Sequence, residues 1–457
     1  MSRPTAPIEK PTAAALAAQP ITTEPNVTHY EWAGATLKRM FRSTQAISET
    51  WAFFSGPQQP ARIAGGRGMT MEELVTMRPD VLGPAGTDPD NHGQKYFFVK
   101  FLDPSDFPPF AYVGFRPEAV ATMRTAAALK ARVAELLWQD RQAVEQLAQL
   151  ARPRIGSAEA FARFKAAYKR WAITQAPADW MSPIMMDLDP FIEPTHRAEA
   201  REALERQRHV RRTLMALMHR IEFTEDQAIL VETPTLHAIA GLSLQVHPNT
   251  PGNFHPKDEL WIYRHIPLPD GAEGWILVEP QRTFDRTESG ADFFTPYAWE
   301  GNGASGRLGF RKPISQASLE GFVALLDVTP HPQDHYLRSA ERMVDPDTSI
   351  EGQAQWFRLV EDERWPHFFV RELRFDGAGA STARLPHHSF IELHATQGEI
   401  DVLLTDQQGR THQTAVSPTH PVFLPATLPY GTITYRARAR ARLQYFSRRT
   451  SMSVRSA

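Results

Sequence analysis

The chain has 457 residues, 42 % of them hydrophobic and 10 % aromatic, enough for two or three domains with real apolar cores. Lys and Arg number 50 against 52 Asp and Glu, a net charge of −2, which argues against a nucleic-acid partner. There is no cysteine, which excludes disulfides, thiolate metal sites and cysteine nucleophiles, and no apolar run reaches the ~18 residues of a membrane helix.

Residues 1–27 are rich in Pro, Ala and Thr and lack the basic-then-apolar layout of a signal peptide, so they read as a disordered leader on a cytoplasmic protein. Strand-like runs follow at Ile47–Gly56 and Lys95–Asp103, with a short helix expected over Met69–Pro79 between them. From Arg116 the β signal disappears. Glu118–Leu150, "SAEAFARFKAAYKRWAI" and "THRAEAREALERQRHVRRTLMALMHRI" carry apolar residues at three- and four-residue steps, so 116–221 reads as a helical insertion. The charges of the last segment alternate in sign, as on a solvated helix face.

Short strands return from Glu222, at "AILVETPTLHAI", "GLSLQVHP", "ELWIYRHI" and "GWILVEP". Residues 28–115 and 222–327 therefore form one β unit interrupted by helices. A Pro-, Asp-, His- and Gln-rich stretch, 328–353, reads as a linker, and 354–457 forms a second all-β unit of sandwich or barrel type.

Without cysteine, a metal must be held by His, Asp, Glu or Gln, and the densest group of such residues lies between His237 and Gln281. Gln245 and His247 are two apart on one strand and share a face. A tight turn around Gly241, centred near Leu242, sets His237 against His247, and Glu259 follows in a third apolar run. Two imidazoles, a carboxylate and an amide suit one divalent ion with an open position, zinc above others. His255, in the turn "FHPK", is the spare, a substrate or outer-shell residue. Glu279 and Gln281 share a face on "VEPQ"; Glu279 is a proton-transfer candidate or the partner of a cation. Lys257 is a second proton-transfer candidate that otherwise holds substrate. Arg307, Arg311 and Lys312 in "GRLGFRKP" supply cations suited to a phosphate.

"LSLQVHP", "KDELW" and "PTLHAI" together resemble type I phosphomannose isomerase, a zinc-dependent double cupin. "ISETWAF", "GRGMTMEELVTMRPDVLG", "YFFVKFLDPSDFPP", "WILVEPQRTFDRTESGADFFTPYAW" and the C-terminal "HHSFIELHATQGEIDV" are similar to further segments of that family. One difference is in order: here "QVHP" and "KDE" follow "PTLHAI" instead of preceding it. The resemblance implies two cupin domains with a helical insertion in the first. It implies one zinc per chain on His237, Gln245, His247 and Glu259, with Arg307 catalytic and Lys312 on the phosphate side. The expected activity is aldose–ketose isomerisation of a sugar phosphate, mannose 6-phosphate to fructose 6-phosphate, by a monomer or homodimer. A non-catalytic sugar-phosphate-binding cupin and an Fe(II) cupin oxygenase are the alternatives. The second cupin keeps His387, His388 and His394 without a matching carboxylate cluster, so it is expected to be metal-free.

Overall fold

The computed structural model describes residues 11–29, 34–56, 59–83, 96–103, 110–173, 187–222, 224–231, 235–239, 244–246, 258–283, 291–292, 299–300, 309–310, 316–324, 326–344, 348–361, 369–385 and 389–447. The first β unit folds into two facing layers. A seven-stranded sheet runs, in spatial order, Val27–Thr28, Glu49–Ala52, Tyr96–Leu102, Glu273–Thr283, Asp258–Pro267, Gln227–Val231 and Leu337–Ser339. A five-stranded sheet runs Ala291–Asp292, Leu244–Val246, His237–Ile239, Phe110–Phe115 and Met218–Glu222. Ala111, Val113 and Ile221 of the second sheet meet Ile229, Val231, Trp261, Tyr263 and Leu277 of the first, closing an apolar interior. The pairs are antiparallel, and sequence-distant strands such as Tyr96–Leu102 and Glu273–Thr283 lie side by side, as in a jelly roll. This is a two-layered antiparallel β-barrel of jelly-roll type.

Strand alternation gives each sheet two jobs. Ala111 and Val113 point into the barrel, whereas Phe110 and Tyr112 face the helices. At the bulge after Val113, Gly114 has φ +54°, and a Cβ there would meet the Tyr336 hydroxyl at 2.0 Å, so only glycine fits.

The inserted helices are Pro117–Val120, Ala126–Ala151, Ala158–Ile173 and Arg197–Met215. Thr125 caps the long one, accepting from the Ala128 amide, and its Leu129, Val133, Leu136 and Leu137 pack against Val210 and Leu214. Among the described residues no helix is long and apolar enough to cross a membrane. The insertion ends earlier than expected. Met218–Glu222 is already a barrel strand, because Met218 and Ile221 place apolar side chains on its two faces.

Two other boundaries are corrected. Within the expected leader, Leu16, Ala17 and Ile21 are buried, Ala13–Ala17 is helical, and Ile21 bridges to Phe423 of the second cupin. Their apolar side chains outweigh the loop-like composition around them. The expected linker also supplies barrel structure: Leu337–Ser339 pairs with Gln227–Val231, anchored by buried Tyr336.

The second β unit is a nine-stranded antiparallel sheet wrapped around its own core. Its strand Phe369–Arg384 pairs with Ala441–Ser447 along its first half and with Tyr430–Ala437 along its second, so it passes from one layer to the other. The two cupins share a core: Phe101, Leu260, Ile262 and Val278 of the seven-stranded sheet pack with Phe390, Phe423 and Phe446.

An ion-pair network crosses this seam. Arg264, on Asp258–Pro267, meets Glu372 of the second cupin at 2.9 Å, and both side chains are 0 % exposed. Arg374 binds Glu372 at 2.5 Å and Asp226 at 2.8 Å, while Arg442 reaches Glu225 at 3.3 Å. Burial alone would raise the Glu372 carboxyl, but the charges of Arg264, Arg374 and Arg442 outweigh it and hold the group below its ordinary range. Its stabilising contribution is therefore present above the unfolded carboxyl value of about 4.3 and is lost as pH falls through the lower folded value. Glu372→Gln strands the Arg264 charge and is expected to cost about 3–5 kcal/mol in chemical denaturation at neutral pH. The Arg264→Met, Glu372→Met pair of changes is expected to recover most of that loss; equal losses in the single and double variants would contradict this account.

Candidate metal and sugar-phosphate site in the first barrel

His237 pairs with Val113, an inward-facing residue of the barrel, and is itself fully buried. Its Nδ1 lies 2.9 Å from the Thr235 carbonyl oxygen. A carbonyl only accepts, so Nδ1 donates, and in the neutral ring Nε2 carries the lone pair. That anchoring is typical of a metal-ligating histidine. Across the barrel the ring meets the edge of Trp261, centroids 5.3 Å apart.

The hairpin register differs from the expected one. His237 pairs with Gln245 and Ala238 with Leu244, where the expected register set His237 against His247. The shift is two residues, which preserves the face: positions 237 and 245 are direct cross-strand neighbours. His247 lies outside the described residues.

Glu259 belongs to the opposite layer. Its backbone pairs with Gln281 on one side and Val231 on the other, two positions before Trp261. Positions 259 and 261 share the strand face that Trp261 directs at His237. The backbone register thus pairs position 237 with 245 in one layer and position 259 with 281 in the other. His255, Lys257, Arg307, Arg311 and Lys312 lie outside the described residues.

Glu279 is buried and faces inward with Leu277, two residues earlier. Its partner is a lysine. Lys100, directly opposite in register, places Nζ 3.9 Å from Glu279 Oε1 and 4.0 Å from Glu49 Oε2. Trp51, on the other side of Lys100, donates its indole N–H to Glu49 Oε2 at 2.5 Å, and Nζ lies 5.5 Å from the Trp51 ring centroid. The lysine side chain is only 12 % exposed. One ammonium is thus set between two buried carboxylates against an aromatic wall, an arrangement that solvates a cation and leaves it near any anionic oxygen entering the barrel. The sequence reading omitted Lys100, Glu49 and Trp51. The available signal was a lone lysine in the apolar run "YFFVKFL", where a strand buried on both faces has no solvent side for a charge.

Trp261 adds a further feature. Its indole N–H is buried with no acceptor among the described residues, a cost of about 1–3 kcal/mol that a bound oxygen atom would relieve. Among the described residues no group of three or more acidic, His or Cys side chains converges on a metal position, and the side chains of Gln245 and Glu259 are not among those described.

No family model and no curated protein sequence matches the chain. Solved structures do. A mutant of oxalate decarboxylase OxdC of Bacillus subtilis aligns at 13 % identity over 25 % of this chain and 29 % of its own, with a TM-score of 0.19. HppE in its Fe(II) form with substrate aligns at 15 % identity over 24 % of this chain and 55 % of its own, TM-score 0.19. An RmlC-like cupin from Shewanella frigidimarina aligns at 14 % identity over 25 % of this chain and 96 % of its own, TM-score 0.17. The similarity therefore spans about a quarter of this chain, and under a third of the decarboxylase.

Lys100→Met is expected to leave Glu49 and Glu279 without their shared cation. Two buried carboxylates then face an apolar side chain, and the variant is expected to melt below wild type at neutral pH. Thermal melting at neutral pH tests this; an unchanged melting temperature would refute the cluster's electrostatic role.

Proposed function

We propose that the first barrel is a metal-dependent aldose–ketose isomerase site acting on a sugar phosphate, interconverting mannose 6-phosphate and fructose 6-phosphate. The observation that carries this reading is two-sided: an anchored His237 beside Gln245 in one layer, and Glu259, Gln281 and the Lys100–Glu279 pair in the other.

The residues fit a divalent ion in kind. His237, Gln245, His247 and Glu259 would hold it, His237 being already oriented by Thr235. When bound, zinc supplies a redox-silent Lewis acid for the substrate oxygens.

The reaction moves a proton between adjacent carbons, which requires a base near both and a positive charge near the oxygen that becomes anionic. Glu279 is assigned the shuttle: its carboxylate is inward-facing, buried and held by Lys100. Lys100 is assigned to offset charge on the enediolate oxygen. Gln281, level with Glu259, is assigned to substrate hydroxyl groups. Arg307, Arg311 and Lys312 are assigned to the phosphate and its charge, and Lys257 and His255 to the rim.

A coupled assay that supplies mannose 6-phosphate and follows fructose 6-phosphate tests the reading directly. Glu279→Gln is expected to lower kcat by roughly 10²–10⁴-fold with the metal retained. His237→Ala is expected to lose metal and activity together, read by metal analysis of the purified protein. Metal-loaded protein that forms no fructose 6-phosphate would end the isomerase assignment, and stoichiometric iron with oxygen consumption would replace it with an oxygenase.

A further inference from the structure

The seam between the cupins contains a second pair of titratable groups that no charge balances. Along Ile391–Gln397, Leu393 and Ala395 fill the core of the second cupin. Glu392 and His394 alternate with them and point at the first cupin, 1 % and 2 % exposed. His394 Nε2 lies 3.1 Å from Glu392 Oε2. The imidazole is walled by Phe53, Phe101 and Phe446, with centroids at 6.0, 5.6 and 5.5 Å. Across the strand pair, Phe446 stands opposite Glu392 and Gln444 opposite His394.

Among the described residues, the surrounding elements bring no counter-ion to this pair. From the seven-stranded sheet the residues packed here are Val99, Phe101, Leu260, Ile262 and Val278, and Lys100 faces the other way, into the barrel. The charged residues on this face are Arg264, Arg374 and Arg442, and these are taken up by Glu372, Asp226 and Glu225. The Val422–Leu424 strand contributes only apolar side chains.

We propose that Glu392 and His394 form an internal proton-binding site that holds one shared proton and thereby fastens the two cupins together. With one proton the pair is a complete hydrogen bond of zero net charge, either carboxylic acid to imidazole or carboxylate to imidazolium. With none, a carboxylate stands bare against aromatic rings; with two, an imidazolium does. Burial acts in the same sense on each group, raising the Glu392 carboxyl well above 4.5 and lowering the His394 imidazole to about 3.

Proton counting fixes the pH dependence. With the seam open, Glu392 and His394 titrate near their ordinary values of 4.5 and 6.5. Between these values the open pair also binds one proton, so closure neither takes up nor releases one. Above about 6.5 the closed pair binds more, and the seam weakens as pH rises. Below about 4.5 the open pair binds more, and the seam weakens as pH falls. Each limb approaches a tenfold change in the opening constant per pH unit.

Native-state hydrogen exchange of amides in Ile391–Gln397, measured on the full chain, reads the opening constant. Relative to wild type, Glu392→Gln keeps a donor to His394 but carries no titrating proton, and is expected to lose the alkaline limb between pH 6.5 and 8.5. His394→Gln is expected to move the onset of that limb down toward pH 4.5, which keeps the idea testable if the first variant folds poorly. The His394 ring resonances are expected not to titrate between pH 5 and 8. An unchanged alkaline slope in Glu392→Gln, or a His394 titration near 6.5, overturns the proposal.

Discussion

The seven-stranded sheet is covered on both faces, and much of the molecule depends on that constraint. Along Tyr96–Leu102, Lys100 lines the barrel while Val99 and Phe101 meet the second cupin. Along Asp258–Pro267, Trp261 and Tyr263 are inside, while Leu260, Ile262 and Arg264 form the seam. A one-residue slip in either strand would exchange these sets and put a charged row into an apolar core, so register is strongly specified here. The same rigidity holds the inward polar residues in place.

The fold was legible where periodicity was strong. The long insertion helix, the short helix Met71–Met77 with its Thr70–Glu73 capping box, and the strands around Trp261 and Trp51 all lie where the pattern put them. Composition misled at the edges. Residues 1–27 read as a leader because Pro, Ala and Thr dominate, yet Leu16 and Ile21 are buried in the shared core. Residues 328–353 read as a linker because polar residues outnumber Tyr336 and Leu337, which nevertheless anchor an edge strand.

The candidate site was legible in residue type more than in geometry. Placing His237 beside the "QVH" strand needed only a short hairpin, but the pairing is set by which residues the turn consumes. The register pairs 237 with 245, where a turn centred at 242 would have paired it with 247. Because the error was an even number, the face survived. Lys100 and Glu49 escaped notice because their roles depend on strands distant in sequence becoming neighbours, which no local pattern reports. His394 was noted, but without a carboxylate beside it, and its partner Glu392 escaped for the opposite reason. Alternation with Leu393 and Ala395 normally marks a solvent face, and here that face is covered by another domain.

Charge is neutralised differently in the three buried regions, in ways that match what each must do. At the seam, Arg264 and Glu372 are fully desolvated and satisfied by a network of arginines and carboxylates, a fixed arrangement with no room for exchange. Inside the barrel, Lys100 stands about equally far from two carboxylates at 3.9 and 4.0 Å, beyond direct hydrogen-bond length, so its charge is compensated without being consumed. Between these regions, Glu392 and His394 have, among the described residues, neither an arginine nor solvent to draw on. The mobile charge left to neutralise them is the proton, which makes this small pair, and not the larger ion network beside it, the element of the seam most responsive to pH.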